Sequence, residues 1–156
     1  MYTIYLAGGC LWGVQAFLKT VPGVIKTEAG RANGSTSDLT APYDGYAECV
    51  KTICDDTLSV HQLFDDFFQI INPYSVNKQG IDTGPKYRTG IYSEDEALLI
   101  EARRYINERK DKAQIAVEVM PLHNYVRSAD EHQDYLDRNP GDYCHIPLHM
   151  MKKYNK

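Results

Sequence analysis

The sequence predicts an α+β fold, a two-layer α/β sandwich on a mixed or antiparallel sheet, with long loops and an irregular C-terminal tail. Three observations predict it. Strand-like and helix-like periodicities are interleaved irregularly, two long stretches carry no periodicity, and the chain after Asn139-Pro140-Gly141 has no helical pattern. With 156 residues, 43% of them hydrophobic and 24% charged, there is material for one buried core, and no linker or internal repeat divides it. Residues 1–156 are therefore expected to form a single domain, of which 141–156 is the tail.

Each element has its own signal. Thr3-Ile4-Tyr5-Leu6 reads as a first strand, and Leu11, Val14, Phe17 and Leu18 then recur at the spacing of one helical face. After the turn at Val21-Pro22-Gly23, residues 24–29 read as a second strand. From Arg31 to Tyr46 the chain is rich in Gly, Ser, Thr, Asn and Pro, a long loop of the kind that often carries function. Residues 47–55 form the third strand. Ser59-Val60-His61-Gln62 is a capping box opening a helix whose buried stripe is Val60, Leu63, Phe64, Phe67 and Ile71. A second irregular stretch, 72–89, leads to a short strand at Gly90-Ile91-Tyr92, and Ser93-Glu94-Asp95-Glu96 opens a helix that runs to Lys110. Ile115, Val117 and Val119 alternate as a half-buried strand, and Ser128-Ala129-Asp130-Glu131 opens a last helix through Leu136.

Composition narrows the function classes. A net charge of −4 and a pI near 5.7 provide no basic surface for phosphate backbones, so nucleic acid is not an expected partner. No apolar run is long enough to span a bilayer and no membrane association is expected; the first residues lack the basic and apolar segments of a targeting peptide, which points to the cytoplasm. Four cysteines in such a chain point to catalytic, redox or metal roles rather than to a disulfide framework. Cys49 and Cys54, five apart on one strand, face opposite sides and cannot easily grip one metal. His145 and His149 could share a helical face beside Cys144, yet no zinc-type spacing accompanies them, and no metal is expected.

Cys10 is the candidate nucleophile. It stands in Gly8-Gly9-Cys10-Leu11-Trp12-Gly13, where a strand gives way to a helix, and a helix N-terminus favours thiolate over thiol. A small buried residue at a tight glycine turn is the competing reading. Disulfide exchange, acyl transfer, peroxide reduction and sulfoxide reduction are the chemistries open to such a thiolate. Gly13 stands where a thioredoxin-type exchanger would carry its second cysteine, and no histidine is marked as a base for acyl transfer. Sulfoxide reduction needs a neutral acid beside the thiolate to protonate the departing oxygen. Glu48 suits it: it begins the third strand on the face of Val50 and Cys54, and apolar neighbours raise a carboxyl's pKa.

At these residues the chain resembles the A-class peptide methionine sulfoxide reductases, which act on the S epimer, and the resemblance covers nearly all of it. Gly9-Cys10-Leu11-Trp12-Gly13 resembles the family's Gly-Cys-Phe-Trp-Gly, and Ala47-Glu48 its His-Ala-Glu block. Gln79-Gly80-Ile81-Asp82 through Tyr87-Arg88 resembles Gln-Gly-Asn-Asp-x-Gly-x-Gln-Tyr-Arg, and Glu131-His132-Gln133 to Tyr143-Cys144 resembles the family's C-terminal block.

The resemblance implies a ferredoxin-like core and reduction of methionine S-sulfoxide, free or in proteins. Cys10 would be nucleophile and Glu48 acid. Trp12 would receive the substrate methyl group, and Asp82 and Tyr87 would complete the polar side. Cys144 would be the resolving cysteine that condenses with a Cys10 sulfenic acid. It further implies no bound cofactor, an external dithiol (thioredoxin or dithiothreitol) as reductant, and a monomer. Leu11 in place of phenylalanine thins the aromatic wall. The loop before Glu48 lacks the family's Asn-Pro-Thr-Tyr run, so Tyr43, preferred over Tyr46, is expected to supply its tyrosine. No cysteine follows Cys144, so the reductant would attack the Cys10–Cys144 bond directly. Two rivals stand beside the enzyme: a sensing module that has lost turnover, which the pairing of Cys10 with Glu48 opposes, and a structural zinc protein.

Overall fold

The computed structural model describes residues 1–142 and 145–154; Cys144, the expected resolving cysteine, lies outside the described residues. The chain opens β1 (Tyr2–Gly8), α1 (Leu11–Leu18), β2 (Val24–Ala32), β3 (Ala47–Cys54), α2 (Val60–Ile70). A two-residue-per-strand hairpin, β4 (Lys78–Gln79) and β5 (Asp82–Thr83), precedes β6 (Thr89–Ser93), and α3 (Glu96–Asn107) carries the chain to β7 (Glu118–Pro121). The remainder holds β8 (Tyr125–Arg127) and two single-turn helices, α4 (Tyr135–Arg138) and α5 (Leu148–Met151).

Among the described residues the main sheet has the order β7-β6-β1-β3-β2-β8. Its inner strands pair antiparallel, and β7 runs parallel to β6 after the α3 crossover. The order β6-β1-β3-β2, joined as β-α-β-β-α-β, is the ferredoxin-like core that the resemblance implies. Alternation along the strands sorts the two faces. Ile4, Leu6, Val50 and Cys54 meet Val14, Phe17, Phe64 and Phe67 of the helices, whereas Tyr5, Ala7, Ala47 and Cys49 build a smaller cluster on the other face. Each fully buried aromatic or leucine contributes about 1.5–3 kcal/mol, so the helix-side core dominates stability.

The α2 capping box is realised, with Ser59 Oγ accepting from Gln62 N at 3.1 Å. Four expectations are corrected. The cap of α3 is Asp95 rather than Ser93, whose hydroxyl instead accepts from Asp95 N, and the helix ends at Asn107 rather than Lys110. The strand expected at 115–119 pairs only from Glu118, because Ala116 N is already donated to the carbonyl of Pro73. Residues 128–136 form no continuous helix: a 3₁₀ turn at Asp130–His132 is separated from α4 by Asp134 at φ 52°, and Gln133 turns inward instead. Arg31, read as the first loop residue, continues β2 because Arg31 pairs with Glu48 across the ladder and with Val126 of β8.

Candidate active site

Gly9 explains why the turn before Cys10 is built from glycine. Its φ is +92°, and a methyl group added there would stand 2.6 Å from Gln79 Cβ, so a side chain meets both strain and collision. Gln79 is itself buried and locked, accepting from Asn72 N and donating to Asn72 O at 2.8 and 2.9 Å. Cys10 follows as the N-cap of α1 with extended backbone (φ −61°, ψ 123°), half-buried, and Leu11 begins the helix.

A cavity of about 340 Å³ opens here. It is lined by Cys10, Leu11 and Trp12 from the start of α1, by Arg31 and Glu48 of the paired strands β2 and β3, by Tyr46, Asp82, Lys86 and Tyr87 from the loops and hairpin, and by Ser128 and His132. Glu48, half-buried at the start of β3, has its carboxyl pushed up to about 7 by burial; Lys86, the Leu11 backbone N–H and Arg31 pull it down, while Asp82 pushes it up. A carboxyl poised there can hold a proton at neutral pH and release it. Burial also raises the Tyr46 and Tyr87 phenols, which stay protonated donors. The Asp82 Oδ2 atom is buried with no hydrogen-bond partner.

Trp12 is held by three contacts. Its indole N–H donates to His132 Nδ1 at 3.2 Å, its ring stacks on Tyr135 at 3.7 Å and 13° between planes, and His132 lies 6.1 Å beyond. The segment carrying His132 and Tyr135 is in turn fastened by Gln133, which accepts from Ala29 N and donates to the carbonyls of Ala29 and Ser128 at 2.8, 2.9 and 3.0 Å. Buried Gln15 of α1 completes the attachment by accepting from Asp134 N at 2.9 Å.

Cys10, Leu11, Trp12, Glu48, Asp82 and Tyr87, singled out in the sequence, thus converge on one cavity. Tyr43 does not join them. It is exposed, edge-on to Tyr46 at 4.8 Å, with its hydroxyl donating to the Tyr46 carbonyl at 2.8 Å, because Gly45 at φ +96° folds the loop back. Tyr46 faces the cavity instead. Among the described residues no group of three or more His, Cys, Asp or Glu could hold a metal ion, and no helix is long and apolar enough to cross a membrane.

A model of the peptide methionine sulfoxide reductase family matches residues 2–156. The chain belongs to this family. It is 42% identical over 166 aligned positions to the peptide methionine sulfoxide reductase MsrA of Clostridium acetobutylicum, covering 99% of this chain and all of that protein. Reduced Mxr1 of Saccharomyces cerevisiae superposes with a TM-score of 0.86 at 28% identity, over 94% of this chain and 91% of that one. Methionine sulfoxide reductase A of Corynebacterium diphtheriae gives 0.83 at 31%, over 94% and 78%. Within this methionine sulfoxide reductase, the cavity residues that sequence reasoning passed over are Arg31, Lys86, Ser128 and His132. His132 and Lys86 had a signal, their places beside Gln133 and Tyr87 in two family blocks; Arg31 and Ser128 depend on how β2 and the stretch after β8 pair, which no periodicity describes.

Proposed function

We propose that this chain, as one catalytic domain over residues 1–156, reduces methionine S-sulfoxide, free or in proteins, to methionine. The observation that carries this reading is the sharing of one cavity by Cys10 and a Glu48 carboxyl that can be protonated at neutral pH. Cys10 sulfur attacks the sulfoxide sulfur while Glu48, assisted by the Tyr46 and Tyr87 hydroxyls, protonates the oxygen. That oxygen passes to Cys10, leaving a sulfenic acid and free methionine. Leu11 and Trp12 receive the S-methyl group, and Asp82 lies on the polar side. Cys144 then attacks the sulfenic sulfur, a Cys10–Cys144 disulfide forms and water leaves. An external dithiol, thioredoxin or dithiothreitol, reduces the disulfide, so the cycle uses no resident cofactor. Cys49 and Cys54 are buried and outside disulfides, which suits a reducing compartment such as the cytoplasm.

Mass spectrometry after adding a resolved sulfoxide epimer without reductant tests this. One methionine released per chain from the S epimer, with a Cys10–Cys144 disulfide, is expected. No release from either epimer overturns the enzyme reading, and release with Cys10 left as a lasting sulfenic acid overturns the role of Cys144.

A further inference from the structure

The chain is acidic overall, yet two cations line its cavity without joining an ion pair among the described residues. Arg31 and Lys86 both line it, and among the described residues neither joins an ion pair. Both are fixed in place. The Arg31 guanidinium lies 4.5 Å over the Tyr46 ring and donates to the Leu39 carbonyl at 3.3 Å, and the Lys86 ammonium lies 5.1 Å over Tyr87. Both charges act on Glu48 through space, but neither is tied to it: Glu48 is the cross-strand partner of Arg31, so the two side chains share a face, and the guanidinium lies over Tyr46 rather than on the carboxyl. The family pattern, moreover, carries glutamine where Lys86 stands, so this charge belongs to the present chain rather than to the shared chemistry.

We propose that Arg31 and Lys86 form a carboxylate subsite beside the sulfoxide pocket, which makes the enzyme select methionine sulfoxide that bears a carboxylate close to its sulfur. Two sources present that group: the α-carboxylate of the free amino acid, and an Asp or Glu neighbouring methionine sulfoxide in a peptide. The inference rests on the reading of this cavity as the sulfoxide site. A planar guanidinium takes a carboxylate in two parallel hydrogen bonds, and an ammonium lining the same cavity adds a point charge. Because both cations are half-buried and already held by ring faces, little side-chain freedom is lost on binding.

Internal competition measures the preference directly, since two substrates in one tube report a ratio of kcat/KM that does not depend on the amount of folded enzyme. The pairs are Asp-flanked against Gly-flanked methionine sulfoxide peptides, and free methionine sulfoxide against its methyl ester, with dithiothreitol as reductant. A ratio of about tenfold for the carboxylate-bearing member of at least one pair is expected, equal to about 1.4 kcal/mol, and it should shrink with added salt. Which pair shows it identifies the source. Lys86→Gln and Arg31→Gln should each bring the ratio toward one, whatever they do to the absolute rates. A parent ratio near one in both pairs overturns the subsite, as does a high ratio that neither variant changes. No reduction of any substrate is a different outcome, and it overturns the sulfoxide reading itself.

Discussion

The two sides of the cavity are built in different ways. Cys10, Leu11 and Glu48 sit on the ends of β1, α1 and β3, where ladder register and one glycine with a positive φ dictate their positions. The opposite side, with Asp82, Lys86, Tyr87, Ser128 and His132, comes from a short hairpin, two 3₁₀ turns and the stretch after β8, held by side-chain bonds of Gln79, Gln133 and Gln15. Cys10 and Glu48 thus rest on regular backbone, whereas the hairpin and turn residues of the cavity rest on a few glutamine contacts. Chemistry and recognition in this protein should therefore be separable by mutation.

The largest break is expected on the regular side. Glu48→Gln should slow the chemical step about a hundredfold, the typical cost of losing a general acid. A single-turnover rate equal to the parent's removes Glu48 from the mechanism. The same variant should be more stable than the parent at pH 8. A carboxyl whose folded pKa is raised supplies stability that is full below its ordinary value of 4.5 and is lost as pH rises through about 7, whereas glutamine pays no such cost. Thermal melts at pH 5 and pH 8 measure it.

On the irregular side, Gln133→Ala removes four hydrogen bonds and takes away the partner of the buried Ala29 N–H, a loss of about 2 kcal/mol. Trp12 is the chain's single tryptophan, so its fluorescence reads the loosening of the His132–Tyr135 wall. KM should rise several-fold with little change in the single-turnover rate. A fall in that rate equal to the rise in KM would show the two sides to be one unit.

The pH profile returns to the regular side. In the proposed mechanism protonated Glu48 is the reactive form, so single-turnover rates should fall about tenfold per pH unit above about 7, and Glu48→Gln should erase that alkaline limb. The smallest effect is at Leu11, which lines the cavity and is 4% exposed. Leu11→Phe should lower KM about two- to threefold by adding apolar contact to the substrate methyl. An unchanged or higher KM means that the ring finds no room in the core behind it.

Legibility followed the same division. The strand-helix-strand-strand-helix frame could be read because apolar residues repeat at two or about four positions wherever an element buries one face, as in Leu11, Val14, Phe17 and Leu18 of α1. Cys10 and Glu48 were legible with it, since their places at element ends follow from that frame. The Ser128 capping box misled, because capping chemistry is local and says nothing of Gln133 turning inward to bind β2. Tyr43 and Tyr46 could not be told apart by spacing, for the choice depended on the fold of the loop at Gly45.

By itself, then, the sequence determined the α+β layering, the glycine-cysteine turn and the carboxyl at the head of β3, because periodicity and backbone conformation are short-range properties written in neighbouring residues. Tertiary structure alone decided that Arg31 lies across from Glu48, that Tyr46 and not Tyr43 lines the cavity, and that His132 reaches Trp12 from 120 residues away. Those are long-range contacts, and they exist only once strand register and side-chain hydrogen bonds have brought distant loops to one cavity.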